Sequence, residues 1–210
     1  AGSLGGIESH PGVDVPLMAA RLFLKLLLAV ALTGMLSLKA LDWPGKGRLR
    51  FSPGKAVAAA ALLYFLVFSA MSLLEYYSFK IPYPDLTYYE QSLWTTVHGR
   101  FMENSLAPFN YFGSHLSLIL LLLVPFYAAF PHTIGLLLLQ NLLLAATALG
   151  IYLVGKKVTN RPKVSALFAL AYLLYPATEF FGTHEFHPVV FAFPFTVFAF
   201  YCLLANRPRL

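Results

Sequence analysis

Apolar runs of 13 to 22 residues recur along this chain, and they leave it few folds. They fall at about Leu22–Leu41, Ala56–Leu74, His115–Phe130, Thr133–Val154, Val164–Pro176 and Val189–Ala205. A bilayer core is about 30 Å thick and a helix rises about 1.5 Å per residue, so roughly 20 apolar residues cross it. An open sheet cannot cross, because lipid leaves its edge amides and carbonyls unpaired. The runs are therefore expected to be membrane helices. Lys25 and Lys39, inside the first run, can reach the interfaces by snorkelling.

Composition agrees. The chain is 59% hydrophobic and 11% charged, against about 45–50% and about 25% in soluble domains. Its 19 Phe and 12 Tyr suit aromatic belts at the headgroups. The formal charge of +6 does not point to nucleic acid, because the basic residues stand between apolar runs. The single cysteine, Cys202, gives neither a disulfide nor a zinc motif. It is expected to pack against lipid or protein. The chain opens on Ala1 rather than Met and closes on Asn206-Arg207-Pro208-Arg209-Leu210 directly after an apolar run. A fragment of a longer protein is the expectation, with a cleaved signal peptide as the rival.

Basic residues set the topology. Segment 42–55 holds Lys46, Arg48, Arg50 and Lys55; segment 155–163 holds Lys156, Lys157, Arg161 and Lys163; the C-terminus holds Arg207 and Arg209. The positive-inside rule makes all three cytoplasmic. Six crossings contradict that, so one run must not cross. His115–Phe130 is short, contains Pro125 and precedes Pro131-His132, and a proline weakens a helix interior. It is expected to be re-entrant or interfacial. The expected fold is thus all-α: a polytopic bundle of five spanning helices plus interfacial or re-entrant helices. Residues 1–55 form an N-terminal segment with one extra span, residues 56–205 the membrane domain, and residues 206–210 a cytoplasmic end.

This topology places segments 75–114 and 179–188 outside the cytoplasm. Of nine acidic residues only Asp42 then faces the cytoplasm, and all six histidines, His10, His98, His115, His132, His184 and His187, face out. Simple crowding of polar residues into longer outer loops would give the same pattern.

In the first outer segment, Ile81-Pro82-Tyr83-Pro84 is stiff. Leu86, Tyr89, Leu93 and Val97 then recur at helical spacing. An amphipathic helix on the membrane is expected, with Tyr88, Tyr89 and Trp94 at headgroup depth and Gly99 as its stop. Asp85 at its start reads as an N-cap, or as a carboxylate taking a proton or a cation. Thr87 and Glu90 fit a capping box that competes for the cap. The second segment carries Glu179, His184, Glu185 and His187 within nine residues. His184 and His187 would share a helix face. With Asp85 and Glu185 they form one option for a divalent metal ion, although this is not the His-Glu-x-x-His zinc pattern. Gln140 and Asn141, inside an apolar run, are expected to glue helices together. No phosphate loop, nucleophile elbow, dinucleotide fingerprint or repeat is present.

Asp85-Leu86-x-x-x-x-Gln91-x-x-Trp94, then Gly99, then His115-Leu116-Ser117, then Phe186-His187-Pro188 together resemble a family of prokaryotic membrane proteins, domain of unknown function 2079. The resemblance covers about Ala56 to Ala205. Two departures are Leu118, where the family has Pro, and the shortness of this chain. That family resembles in turn the GT-C glycosyltransferases, which use lipid-phosphate-linked sugars at an extracytoplasmic site.

The resemblance implies Asp85 as the first-loop carboxylate, a general base or a metal ligand in some members. It implies Glu185 or Glu179 as the second-loop carboxylate, with His184 and His187 as additions. His115 joins the candidate catalytic set of Asp85, His184, Glu185 and His187; Glu90, Gln91, Trp94, Arg100 and Glu179 support it. A metal, a charged histidine or Arg100 would steady the leaving phosphate. The expected partners are the bilayer, a polyprenyl-phosphate sugar donor and the remaining helices of the full-length protein. The alternatives are a membrane transporter or channel, and a non-catalytic protein with a His-containing metal site.

Overall fold

In a computed structural model of the chain, residue 23 and residues 52–78, 85–106, 110–114 and 116–206 are described. Apart from residue 23, all belong to the second of two compact units, Trp43–Leu210. The expected span Leu22–Leu41 apart from Phe23, most of the basic segment 42–55, His115, and Arg207 and Arg209 lie outside the described residues. Those described are mostly helical and contain no strand.

Helix α1 is Pro53–Tyr77, with Pro53 in its first turn, where a missing N–H costs nothing. It starts three residues earlier than its apolar run, so Lys55 is helical rather than in a loop. Val57, Ala61, Tyr64, Phe68 and Ser72 form its buried stripe, while Leu62, Leu66 and Leu74 are exposed. Helix α2 is Asp85–Val97, α3 is the single turn Tyr111–Ser114, and α4 is Ile119–Ala129. The eleven residues of α4 span roughly 16 Å, about half a bilayer core. As its length and Pro125 led one to expect, this run is too short to cross.

Helix α5, Thr133–Thr159, is the central element, packing on α1, on α6 (Pro162–Leu173) and on α8 (Ala192–Ala205). It runs five residues past Val154. Lys156 and Lys157 therefore sit on its last turn, where cations favour the helix dipole, and the expected basic loop 155–163 shrinks to a tight turn. Asn160 closes the helix in the left-handed conformation, φ 52°.

Helix α7, Pro176–Thr183, follows α6 after a bend of 49°. Pro176 lacks an amide for the ladder and holds Tyr175 extended, φ −70°, ψ 128°. The expected outer loop 179–188 is thus corrected: Glu179 to Thr183 are helical, and only residues 184–187 link α7 to the 3-10 turn Pro188–Phe191 that leads into α8.

Three helical stretches, Pro53–Tyr77, Thr133–Thr159 and Pro188–Ala205, are long and apolar enough to cross a membrane; the bent pair α6–α7 makes a fourth if it counts as one span. In lipid, helices associate through close packing and polar bonds rather than hydrophobic burial. Both occur here. A Cβ on Gly182 would stand 2.6 Å from the Tyr64 hydroxyl and 2.7 Å from Phe68, so α7 meets α1 nearly backbone to side chain. Tyr64 donates to the Thr178 carbonyl at 2.7 Å, Ser72 to the Gly182 carbonyl at 2.7 Å, and Asn141 to Ser72 at 3.1 Å. Asn141 is helix glue, as its place in an apolar run suggested.

The remaining helices cap the bundle at one end. Leu86 and Leu93 of α2, Met102, Tyr111, Leu120, Leu123 and Tyr127 of α4, Leu136 and Leu137 of α5, Phe186 and Phe191 form one apolar cluster. Leu86, Tyr89 and Leu93 pack inward as the helical spacing requires, Val97 is exposed, and Tyr88 joins the same cluster. Trp94 alone of the three aromatics is well exposed, at 43%. Helix α2 stops as its sequence predicts. Gly99, at φ 81°, donates to Thr96, and Arg100 donates to Thr95 at 2.8 Å, the two bonds of a Schellman motif.

Candidate functional site

The first amides of any helix lack intrahelical acceptors. In α2 they find one far along the chain: the Leu86 N–H donates to Glu185 Oε2 at 3.0 Å, and the Asp85 amide also bonds that carboxylate. A carboxylate at this end is favoured by the helix dipole as well. The expected local cap is corrected accordingly. Asp85 is the first residue inside the helix and is exposed. Thr87 lies in the first turn, and Glu90 turns away to accept from Tyr127 at 3.1 Å and from Thr133. Glu90 thus ties α2 to α4 and α5 instead of closing a capping box.

Gln140 of α5 holds Glu185 in place. Its amide nitrogen donates to the carbonyls of Phe181 at 2.6 Å and Glu185 at 3.2 Å, and its oxygen accepts the His187 N–H at 2.7 Å. One buried amide therefore pins both sides of the 184–187 link. The expectation of helix glue understated this residue: it positions the candidate site. The only signal for it in the sequence is an amide within an apolar run.

Three of the sequence candidates, Asp85, Glu185 and His187, come together. Burial pushes the Glu185 carboxyl above its ordinary value and neighbouring Asp85 adds to this, against the downward pull of the Leu86 and Asp85 amides. Burial lowers His187, and Asp85 opposes that. Tyr89, one turn after Asp85, is pushed up to about 12 by burial, then by Tyr111, Asp85 and Glu185. Its ring meets Tyr111 at 5.8 Å and Phe186 at 6.0 Å, edge to face. Tyr89 therefore brings a neutral phenol to the carboxylates, which its reading as a headgroup aromatic did not anticipate.

The other candidates are placed apart. His184 is the C-cap of α7, extended at ψ 175°, and its ring stacks on Phe180 with centroids 3.6 Å apart. It does not share a helix face with His187, so that expectation is corrected. Glu179 is buried, 6% exposed, beside Tyr64 within the bundle. Gln91 clasps Ser105, accepting its N–H at 3.2 Å. Trp94 stacks on His98 at 4.1 Å under the Arg100 guanidinium at 5.7 Å, and Arg100 pairs with Glu103 at 3.4 Å. Along α2, Gln91 stands about 9 Å and Trp94 about 14 Å from Asp85 by helix rise, and His98, Arg100 and Glu103 lie past the end of the helix. Among the described residues no three His, Cys, Asp or Glu side chains are grouped to hold a metal ion, so Asp85, His184, Glu185 and His187 do not stand as a ready ligand set.

A separate apolar groove of about 630 Å³ runs beside α5, lined by Phe65, Phe126, Phe130, Leu138 and Leu142, with His132 at one end.

Fold and site together define a multi-helix membrane protein in which two segments distant in sequence meet as a carboxyl–imidazole cluster at one end of the bundle. The chain belongs to the family described as predicted membrane protein (DUF2079), whose model matches residues 75–210. No curated protein and no solved structure matches it.

Proposed function

We propose that this chain carries the extracytoplasmic site of a membrane glycosyltransferase-like protein that moves a sugar from a polyprenyl-phosphate carrier. The observation that carries the reading is the meeting of Asp85 with Glu185 and His187 across 99 residues of chain between Leu86 and Glu185. An acceptor hydroxyl needs a base within hydrogen-bond reach, and exposed Asp85 is the group for that role. Glu185, set higher by burial, and Tyr89 can hold the neighbouring oxygens. The apolar groove beside α5 suits the hydrocarbon chain of a lipid-borne donor. Its lining is nearly all carbon, and it opens along a candidate span. The site end is taken as extracytoplasmic because Lys55, Lys156, Lys157, Arg161 and Lys163 stand at the other end.

The test uses full-length protein in proteoliposomes with a radiolabelled polyprenyl-phosphate sugar. Transfer that falls at least a hundredfold in Asp85→Asn supports the assignment. Transfer at the wild-type rate removes Asp85 as base, and a wild type that transfers none removes the reading.

A second reading, transport, is favoured by one observation. Glu179 is buried at a broken helix beside Tyr64, near the middle of α1, and ionisable groups in such places mark ion paths. Proton flux into vesicles that disappears in Glu179→Gln, with no sugar transfer, selects it.

A further inference from the structure

Close packing brings three helix ends together opposite the candidate site. Gly54 of α1 lies against Tyr152 of α5, a Cβ there standing 3.3 Å from the ring and hydroxyl. Gly155 of α5 lies against Ser165 of α6, a Cβ there standing 3.1 Å away. The α5–α6 turn is shut by left-handed Asn160, whose N–H donates to Lys156, by Arg161 N–H to Thr159 Oγ1 at 3.1 Å, and by Ser165 Oγ to the Arg161 carbonyl at 3.0 Å. These bonds close the turn, so the backbone positions from which its side chains extend are set close together.

Those side chains are cations. Lys55 on the first turn of α1, Lys156 and Lys157 on the last turn of α5, Arg161 in the turn and Lys163 on the first turn of α6 are all exposed. No Asp or Glu occurs in 52–60 or 152–168. The described acidic residues belong to the last turns of α1, to α2 and the loop after it, and to α7 and the link beyond. Val158 stands exposed among the cations, an apolar contact at the same level. Lysine and arginine stems can lie along hydrocarbon while their heads reach phosphate. A rim of like charge with an apolar residue set into it fits the boundary of an anionic leaflet.

We propose that the rim formed by Lys55, Lys156, Lys157, Arg161 and Lys163 binds anionic phospholipid headgroups of the bilayer. Glycerophosphate headgroups with a net negative charge are its ligand class. The rim selects them over zwitterionic lipids because, among the described residues, no carboxylate stands with its five cations to compete. This stands independently of the sugar-transfer reading, since it concerns the opposite end of the bundle.

The experiment reconstitutes full-length protein in nanodiscs of mixed phosphatidylglycerol and phosphatidylcholine, extracts it in mild detergent, and measures retained lipid by native mass spectrometry. The expected result is phosphatidylglycerol enriched at least tenfold over phosphatidylcholine. A cation near an anionic surface is worth about fivefold, so K156Q/K157Q/R161Q/K163Q loses the enrichment. These residues are exposed, so the variant should keep its melting temperature in pure phosphatidylcholine. If it does not fold, a salt titration of the wild type replaces it, with bound phosphatidylglycerol falling and phosphatidylcholine unchanged. Equal retention of both lipids, enrichment insensitive to the variant or to salt, or displacement of phosphatidylglycerol by equimolar inorganic phosphate overturns the proposal.

Discussion

Glu185 closes the N-terminus of α2 by accepting the Leu86 N–H at 3.0 Å, although 99 residues separate the two in sequence. This bond joins the two segments that make up the candidate site. It also makes the amphipathic helix and the link after α7 one cooperative structure. Removing the acceptor while keeping the shape separates these roles. Glu185→Ala is expected to lower stability by about 1 kcal/mol, the usual worth of a helix cap. Glu185→Gln, which retains a carbonyl oxygen for Leu86, should cost less. Thermal unfolding in detergent micelles at neutral pH checks the order.

Glu185 also sets a pH dependence. Its folded value lies above the ordinary carboxyl value of 4.5 because of burial and Asp85. The folded state therefore holds this proton more tightly than the unfolded chain, so its contribution is full below pH 4.5 and is lost as pH rises through the folded value. His187 runs the other way. Burial sets it below 6.5, so its contribution is full above 6.5 and is lost as pH falls through the lowered value. Melting temperatures of Glu185→Gln and His187→Gln across pH 4 to 8 should each lack one limb of the wild-type profile.

Gln140 is expected to matter more than any other uncharged side chain near the site. Gln140→Leu leaves the His187 N–H and the carbonyls of Phe181 and Glu185 without this partner, and a buried polar group without one costs about 1–3 kcal/mol. The link 184–187 should loosen before the bundle does. Hydrogen exchange would show faster amides there, with α5 and α1 still protected.

Gly182→Ala tests the close approach of α7 to α1. The added methyl would overlap the Tyr64 hydroxyl at 2.6 Å and Phe68 at 2.7 Å. Overpacking of this kind costs typically about 1–3 kcal/mol. A lowered unfolding midpoint, recovered in part by pairing the change with Phe68→Leu, is the expected outcome.

Local features of this fold were legible because local physics governs them. Long apolar runs marked α1, α5 and α8. Gly99 marked the end of α2, because its conformation suits a residue without Cβ. Pro125 and the shortness of its run marked α4 as too short to cross. The failures have physical causes too. Lysines read as a loop at Lys156 and Lys157 are equally at home on a last helical turn, so α5 ran longer than its apolar stretch. Pro176 read as an end is here a bend, because α7 packs on α1 through Gly182. Val97 shared the helical spacing of Leu86, Tyr89 and Leu93 yet is exposed, because spacing marks a face and not how far along the helix that face is covered. At the site, the residue types were visible, but the partner of each was not. Asp85 looked like a cap because caps are usually local, and nothing near Leu86 in sequence announces Glu185.

The most direct test of the shared site is a double-mutant cycle of Asp85→Asn and Glu185→Gln, read by thermal unfolding of the full-length protein at pH 7. Side chains this near, one raising the other's proton affinity, should couple by about 0.5–3 kcal/mol, with Asp85→Asn also moving the Glu185 limb of the pH profile to lower pH. Stabilities that simply add, and a Glu185 limb that Asp85→Asn leaves in place, would contradict it.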